Sequence, residues 1–289
     1  MSISLEKISY TYNPLEPNGA YALKNLNLNI AQGDFIGLLG HTGSGKSTLV
    51  QLMAGLIQPT EGRLFVDEVD FSTKTKERRQ KKLEVGLVFQ YPEYQLFEET
   101  VARDIAFGPK NLGLPEEEIE SRVKEAMALV DLDYETYKDV SPFSLSGGQK
   151  RRVAIAGVLA MRPSYLILDE PTAGLDPKGR NAILSKIKAL HETLGMAIIL
   201  VSHSMDDVAK FASRLLVMNK GELVLKGTPQ VIFEQKEFLE SIGLGVPSVT
   251  QLMYQLREKG LAVSPSALTL EEAYQEITKA LRERGEGLC

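Results

Sequence analysis

One stretch limits what this chain can fold into more than any other: "DFIGLLGHTGSGKSTLVQLMAGL", residues 34–56. A short apolar run ends in Gly40, a glycine-rich loop follows, and a helix-forming segment opens at Lys46. Residues Gly40 to Thr48 fit the pattern G-x-x-x-x-G-K-[ST], with the strand before it and the helix after it that the pattern requires. Gly40, Gly43 and Gly45 let the backbone wrap closely around a polyphosphate, with His41, Thr42 and Ser44 between them. Exposed N–H groups and the helix dipole favour the negative charge. Lys46 supplies a mobile cation for the β- and γ-phosphates, and the Ser47 hydroxyl can ligate Mg2+. A dinucleotide-binding loop is excluded, because its G-x-G-x-x-G spacing is absent and it has no need of the lysine.

A loop of this kind predicts an α/β fold. With 289 residues the chain is long enough for one large α/β domain, alone or with a small appendage. The net charge of −5 does not favour general nucleic-acid binding. The single cysteine, Cys289, can form no internal disulfide and reads as an inert thiol in a reducing cytosol. "MSISLEKISY" lacks the basic start and apolar centre of a signal peptide. No run approaches the ~18 apolar residues of a membrane helix. The expectation is a chain that does not span a membrane but can sit against one.

Along the chain, "SISLEKISYTY" and "ALKNLNLNI" alternate apolar and polar residues and predict strands, joined by the Pro/Gly/Asn loop "NPLEPNGA". "GRLFVDEVD" predicts another strand. The basic run "STKTKERRQKK" at 72–82 reads as a solvated loop or helix face. "PEEEIESRVKEAMALVDL" predicts a helix with Ile119, Val123, Ala126 and Val130 on one face, started by Pro115. "RNAILSKIKALHETL" predicts a helix, "MAIILVSH" a buried strand, and "RLLVMNKGELVLKG" a hairpin around Asn219–Gly221. After Gly227 three amphipathic helices are predicted: "TPQVIFEQKEFLESIGL", "SVTQLMYQLREKGL" and "TLEEAYQEITKALRERG". In the last, Thr269 and Glu272 are placed as a capping box.

"YLILDEPTAGLDP" begins as a buried strand with Asp169 and Glu170 at its carboxyl end, where open α/β sheets bind ligands. One carboxylate can hold Mg2+ through water, and the other can deprotonate an attacking water. Adjacent strand residues point to opposite faces, so the strand must end here for both to serve one site, and Pro171 ends it. His203 closes "IILVSH" and would emerge beside Glu170 if the two strands are neighbours. An imidazole there can bond a γ-phosphate and hold a water. His41 and His191 read as structural or merely exposed. Gln90 ends "LVFQ" before a proline-containing loop, and its side-chain oxygen can reach Mg2+.

"SLSGGQKRRVAIAG", residues 144–157, looks like a second anion site. Ser146 can cap a helix, and Gly147 and Gly148 leave backbone N–H groups open. Lys150, Arg151 and Arg152 follow at once, and cations in a first turn oppose the helix dipole. Their partners, nucleotide or nearby acids, stay open at this point.

The order of these motifs resembles the nucleotide-binding subunit of ATP-binding cassette (ABC) transporters: the phosphate loop, then Gln90, then "LSGGQ" at 145–149, then "LILDE", then His203. The resemblance covers about residues 1–230, and LSGGQ makes it specific. It implies a P-loop NTPase fold with a RecA-like core, an antiparallel β subdomain and a helical subdomain at about 92–160. It also implies a C-terminal helical dimerisation appendage over 231–289. By the same resemblance ATP and Mg2+ are bound by Lys46, Ser47 and Gln90, with Asp169 reached through water. Glu170 is the catalytic base, His203 the switch histidine and Asp176 the acid of the D-loop. Tyr12 resembles the aromatic that stacks on adenine, with Tyr10 close by as the other choice. Ser146, Gly147, Gly148 and Gln149 would contact a nucleotide held by a partner cassette. "FQYPEYQLFEETVARDIAFGPKNLGL" and "DEPTAGLDPKGR" closely resemble the ATPases of energy-coupling factor transporters, and "NPLEPNGAYAL" with "GHTGSGKST" resembles their second, A-prime type. That implies peripheral attachment to the cytoplasmic face of the cell membrane. It implies a second ABC ATPase as partner, a heterodimer before a homodimer. A transmembrane coupling protein and a substrate-binding membrane protein complete the set, and no nucleic acid is implied.

Three other classes fit less well. Ribosome-acting ABC proteins usually carry two cassettes in one chain, and one set of motifs is present. DNA-repair relatives need a long coiled coil between Thr48 and Leu145, where no sustained heptads occur. A small-molecule kinase would not need LSGGQ.

Overall fold

The computed structural model describes residues 1–13, 20–73, 75–283 and 285. Cys289 and the middle of the 13–20 loop lie outside the described residues. The chain opens with an antiparallel pair, β1 (Ser2–Thr11) and β2 (Tyr21–Ala31), whose period-two burial places Ile3, Leu5, Leu26, Leu28 and Ile30 inside. β3 (Phe35–Leu39) is buried throughout and feeds the glycine-rich loop and α1 (Lys46–Met53). Where the sequence predicts one strand over 62–70, the structure has a tight hairpin, β4 (Glu61–Val66) and β5 (Val69–Asp70). Its two turn residues, Asp67 and Glu68, both adopt positive φ (47° and 71°), as a type I′ turn requires. These strands form a sheet in the order β2-β1-β4-β5.

The basic run becomes α2 (Lys76–Lys82), which buries no residue. β6 (Val85–Val88) follows, then a 3-10 turn at Pro92–Gln95 and a helical layer: α3 (Val101–Asn111), α4 (Glu116–Leu129), α5 (Tyr134–Tyr137) and α6 (Gly147–Leu159). The face predicted for α4 is the buried one: Ile119, Val123, Ala126 and Val130 are all inside. β7 (Tyr165–Asp169), α7 (Pro177–Leu194), β8 (Ala197–Val201), α8 (Met205–Phe211), β9 (Arg214–Asn219) and β10 (Glu222–Gly227) complete a six-stranded sheet, β10-β9-β3-β8-β7-β6. Only its β9–β10 hairpin is antiparallel.

The pleat of β7 shows how the sheet divides the core. Leu166 and Leu168 join α3, α4, α6 and α7 on one side, while Tyr165 and Ile167 join α1 and the antiparallel sheet on the other. Tyr165 also donates its hydroxyl to Asp67 (2.8 Å), tying the β4–β5 turn to the main sheet.

Among its described residues the C-terminal segment holds four helices: α9 (Pro229–Phe233), α10 (Lys236–Ser241), α11 (Ser248–Glu258) and α12 (Leu270–Glu283). The first predicted helix is therefore broken in two, at Gln235, whose ψ of 45° leaves the helical region. Ile232, Phe233, Leu239 and Leu244 pack into the main core, whereas Met253, Leu261, Val263, Ala267, Ala273 and Ala280 form a cluster of their own. Thr269 and Glu272 form the predicted capping box: each side chain accepts the other's backbone N–H, both at 3.2 Å.

Candidate nucleotide site

The cradle starts where β3 stops. Gly45 caps α1 at φ 104°, and a Cβ there would lie 2.6 Å from the Ala22 carbonyl oxygen. Backbone conformation and packing thus both demand glycine. Gly45→Ala is expected to cost about 2 kcal/mol or more of stability and to weaken ATP binding in step, read by thermal melting and by nucleotide titration. The loop rests against the β9–β10 turn. Gly221 N–H donates to the Ser44 carbonyl (3.0 Å), and His41 Nε2 lies 3.0 Å from Asn219 Oδ1. His41 therefore helps hold the loop, half-buried against that turn. His191, as expected, is structural: its Nδ1 lies 2.9 Å from the Met196 carbonyl, and its ring packs edge-on to Phe35.

Lys46 is 7% exposed and donates to the carbonyls of Gly40 (2.7 Å) and His41 (3.1 Å). Burial lowers its pKa, and the nearby charges of Glu170 and Asp169 work the other way. Tyr12 closes the rim, its hydroxyl 2.9 Å from Thr48 Oγ1, with Tyr10 packed edge-on at 5.0 Å between ring centroids.

The strand order β3-β8-β7-β6 brings the other groups in. Four adjacent parallel strands deliver, at their carboxyl ends, the cradle, His203, the Asp169–Glu170 pair and Gln90. His203 and Glu170 are neighbours, because β7 and β8 pair directly. His203 Nε2 lies 2.7 Å from Glu170 Oε1, and the Gln90 amide donates to Oε2 at 3.1 Å. Gln90 does not end its strand: β6 stops at Val88, and Gln90 reaches Glu170 from the loop beyond. β7 stops at Asp169, and the chain reverses at Glu170 itself, which adopts φ 49°. Pro171 is only part of that ending. This reversal places both carboxylates on one cavity. Among its lining residues are Tyr12, Thr42, Gly43, Lys46, Ser47, Gln90, Asp169, Glu170 and His203, around a space of about 500 Å³.

The donor set suits Mg2+. Burial raises the pKa of Asp169, and the neighbouring Glu170 charge adds to it, so a cation here relieves both. Among the described residues no cluster of three His, Cys, Asp or Glu could cage a metal alone. Ser47 and Asp169 instead fit a Mg2+ held largely by phosphate and water.

The LSGGQ turn lies elsewhere. Ser146 caps α6 in a full capping box: the Gln149 N–H donates to its hydroxyl (3.4 Å), and the Ser146 N–H donates to Gln149 Oε1 (3.0 Å). None of Ser146 to Gln149 lines the cavity. A Cβ added to Gly147 or Gly148 would meet nothing within 4 Å. Nothing packed against them among the described residues therefore requires glycine there. The cations also need correction: α6 begins at Gly147, so Lys150, Arg151 and Arg152 occupy its fourth to sixth positions, past the first turn. Arg151 is buried against Glu93, and Arg152 donates to the Asp131 carbonyl (3.2 Å). Asp176 caps α7, accepting the Gly179 N–H at 2.7 Å.

A second cleft, about 380 Å³, lies between α3, α6 and the loop after Gln90, with Leu56, Phe89, Phe97, Phe107, Val158 and Met161 in its walls. Phe89, Phe97 and Phe107 are exposed, as are Tyr91 and Tyr94 beside it, Tyr94 to 84%. Exposed aromatics gathered at one cleft mark an interaction surface.

Comparison with known proteins agrees with this geometry. The family described as ABC transporter matches residues 23–173. The energy-coupling factor transporter ATP-binding protein EcfA2 of Clostridium tetani is 56% identical over 98% of this chain and 99% of its own length. The chain belongs to the ABC transporter family, among its energy-coupling factor ATP-binding proteins. The protein of the same description from Clostridioides difficile is 55% identical over the full length of both chains. Among solved structures, cbiO1 of Clostridium perfringens, part of an ABC transporter complex cbiONQ, aligns at TM-score 0.73 with 40% identity, over 87% of this chain and 98% of its own. The cassette MJ0796, a dimer bound to ADP and Pi, aligns at 0.69 with 30% identity, over 78% and 98%. Family membership makes this chain an ATPase whose hydrolysis is coupled to transport. Among the described residues no helix is long and apolar enough to cross a membrane.

Proposed function

We propose that this chain binds and hydrolyses ATP at the cytoplasmic face of the membrane. There it powers uptake of vitamins or transition-metal ions through a separate transmembrane coupling protein and a substrate-binding membrane protein. One observation carries the reading: Lys46, Gln90, Asp169, Glu170 and His203 share a single cavity, while the capped LSGGQ turn lies outside it, with open space beside Gly147 and Gly148. The site is half of a pair, completed by a second ABC ATPase, with a heterodimer favoured.

In this reading Lys46 leaves its two loop carbonyls for the β- and γ-phosphates. Tyr12 lies against the base. Ser47, Gln90 and, through water, Asp169 hold Mg2+, which neutralises charge on the phosphates. Glu170 takes the proton of the attacking water. Oε2 accepts from Gln90 and Oε1 lies 2.7 Å from His203 Nε2, and a carboxylate oxygen has two lone pairs, so one is kept for that water. His203 orients the carboxylate and meets the γ-phosphate. Ser146 and the N–H groups of Gly147 and Gly148 close on the partner's nucleotide, with Gln149 behind them and Asp176 at the seam. The aromatic cleft receives the transmembrane coupling protein. Residues 1–230 form the cassette and 231–289 the dimerisation appendage. The separate cluster around Met253 supports an independent role for the last helices.

Co-purification from membranes, with the partners identified by mass, tests the assembly. Recovery of this chain alone overturns it. Ser146→Asp tests the shared site, because aspartate caps a helix as well as serine but sets a charge against the partner's phosphate. ATP binding by the isolated chain should stay within about twofold, while turnover by the assembled pair falls about tenfold or more. Weakened binding by the isolated chain would place Ser146 on its own nucleotide and reject the reading.

A further inference from the structure

We propose that Arg151 is a positioning residue that ties the aromatic cleft to the loop carrying Glu170. The proposal rests on the reading of the cleft and of Glu170 given above. Arg151 follows the LSGGQ turn by two residues, yet it is 2% exposed. Its Nε donates to Glu93 Oε2 (3.3 Å) and its Nη2 to Glu93 Oε1 (3.1 Å). Its Nη1 donates to the carbonyls of Pro171 (2.9 Å) and Ala173 (3.0 Å). Four of the five N–H donors of the guanidinium are thereby used.

Those bonds join three separate segments. Arg151 belongs to α6, immediately behind the turn that faces the partner's nucleotide. Glu93 belongs to the 3-10 turn just after Gln90, and the same stretch supplies Gln95, Leu96 and Phe97 to the aromatic cleft. Pro171 and Ala173 belong to the reversal that starts at Glu170, where the Ala173 N–H donates to the Glu170 carbonyl (3.1 Å). Displacement of Glu93 by a partner seated in the cleft is passed by a rigid planar fork to two carbonyls of the Glu170 turn. Lysine, a point charge on a flexible stem, could serve only one of these directions at a time. The glutamate side chain is 18% exposed, so it retains some access to water if the arginine is removed.

The experiment compares ATP turnover by the transporter assembled in phosphatidylglycerol/phosphatidylcholine vesicles with turnover by the detached ATPase pair, using ATP as the only probe. The quantity read is the ratio of the two rates, for wild type, Glu93→Gln, Arg151→Met, Arg151→Lys and the Glu93→Gln/Arg151→Met double variant. Each of the first two variants is expected to bring the ratio at least fivefold closer to one. Lysine should recover part of it, and the double variant should fall no further than the worse single one. Equal loss of both rates, with the ratio kept, means a merely structural role and overturns the proposal. So do additive effects, a wild-type ratio of one, or loss of the membrane partner from the Glu93→Gln complex, which would make Glu93 a docking contact. Should Arg151→Met fail to fold, Glu93→Gln alone still decides, because it keeps an acceptor opposite the guanidinium. Failure of the functional reading itself would show differently, as ATP turnover surviving without the Glu170 carboxylate.

Discussion

Glu170→Gln is expected to lower ATP turnover by about two to four orders of magnitude, the range for removal of a positioned general base, with ATP binding retained. The amide keeps the size of the side chain and can still accept from Gln90, but it cannot take a proton from water. His203 loses its 2.7 Å carboxylate partner, and the positive φ of Glu170 is a backbone property that the change leaves in place. The variant should therefore bind nucleotide, associate with its partner ATPase in an ATP-dependent way, and stall there. Phosphate release and size-exclusion chromatography with ATP measure the two halves. Turnover near that of the wild type would remove Glu170 from the role of base.

Lys46→Met is expected to weaken ATP binding by about a hundredfold, the scale of lost charge-assisted bonds to phosphate. Folding should survive. The ammonium is held in a partly desolvated place that lowers its pKa, and methionine fills similar space without that charge. The two lost bonds go to loop carbonyls, Gly40 and His41, and the lysine must release them for phosphate in any case. A melting temperature within a few degrees of wild type, together with lost nucleotide titration, is the expected pair of results. Unchanged ATP affinity would separate the cradle from nucleotide binding.

The parts of the fold that were legible are those whose signal is local. The Lys46 helix, the α4 face from Ile119 to Val130 and the Thr269–Glu272 cap each follow from a period or a spacing of a few residues. Helix α3 was not. Gly108 and Pro109 lie near its end, and what makes it a helix is burial of Val101, Ile105 and Ala106 within the core that also holds Val153 and Ala156 of α6. The β4–β5 hairpin was missed because Asp67–Glu68 lacks the glycine that usually marks such a turn, and the Tyr165 hydroxyl holds Asp67 from another sheet.

By itself the sequence determined the residue types, their order and the local frames: a glycine loop between strand and helix, two acids at a strand end, a capped glycine turn before a helix. Those depend on neighbours in the chain, and steric and hydrogen-bonding rules act over a few residues. Which of them meet was decided only by the tertiary structure. The order β3-β8-β7-β6 brings Gln90, Glu170 and His203 within hydrogen-bonding distance, although 80 residues separate the first two. The same packing turns Arg151 from a cation beside an anion site into a buried tie between Glu93 and the Pro171–Ala173 turn. A charge removed from water has to find its partners wherever the fold supplies them, and no local spacing in this chain says where that is.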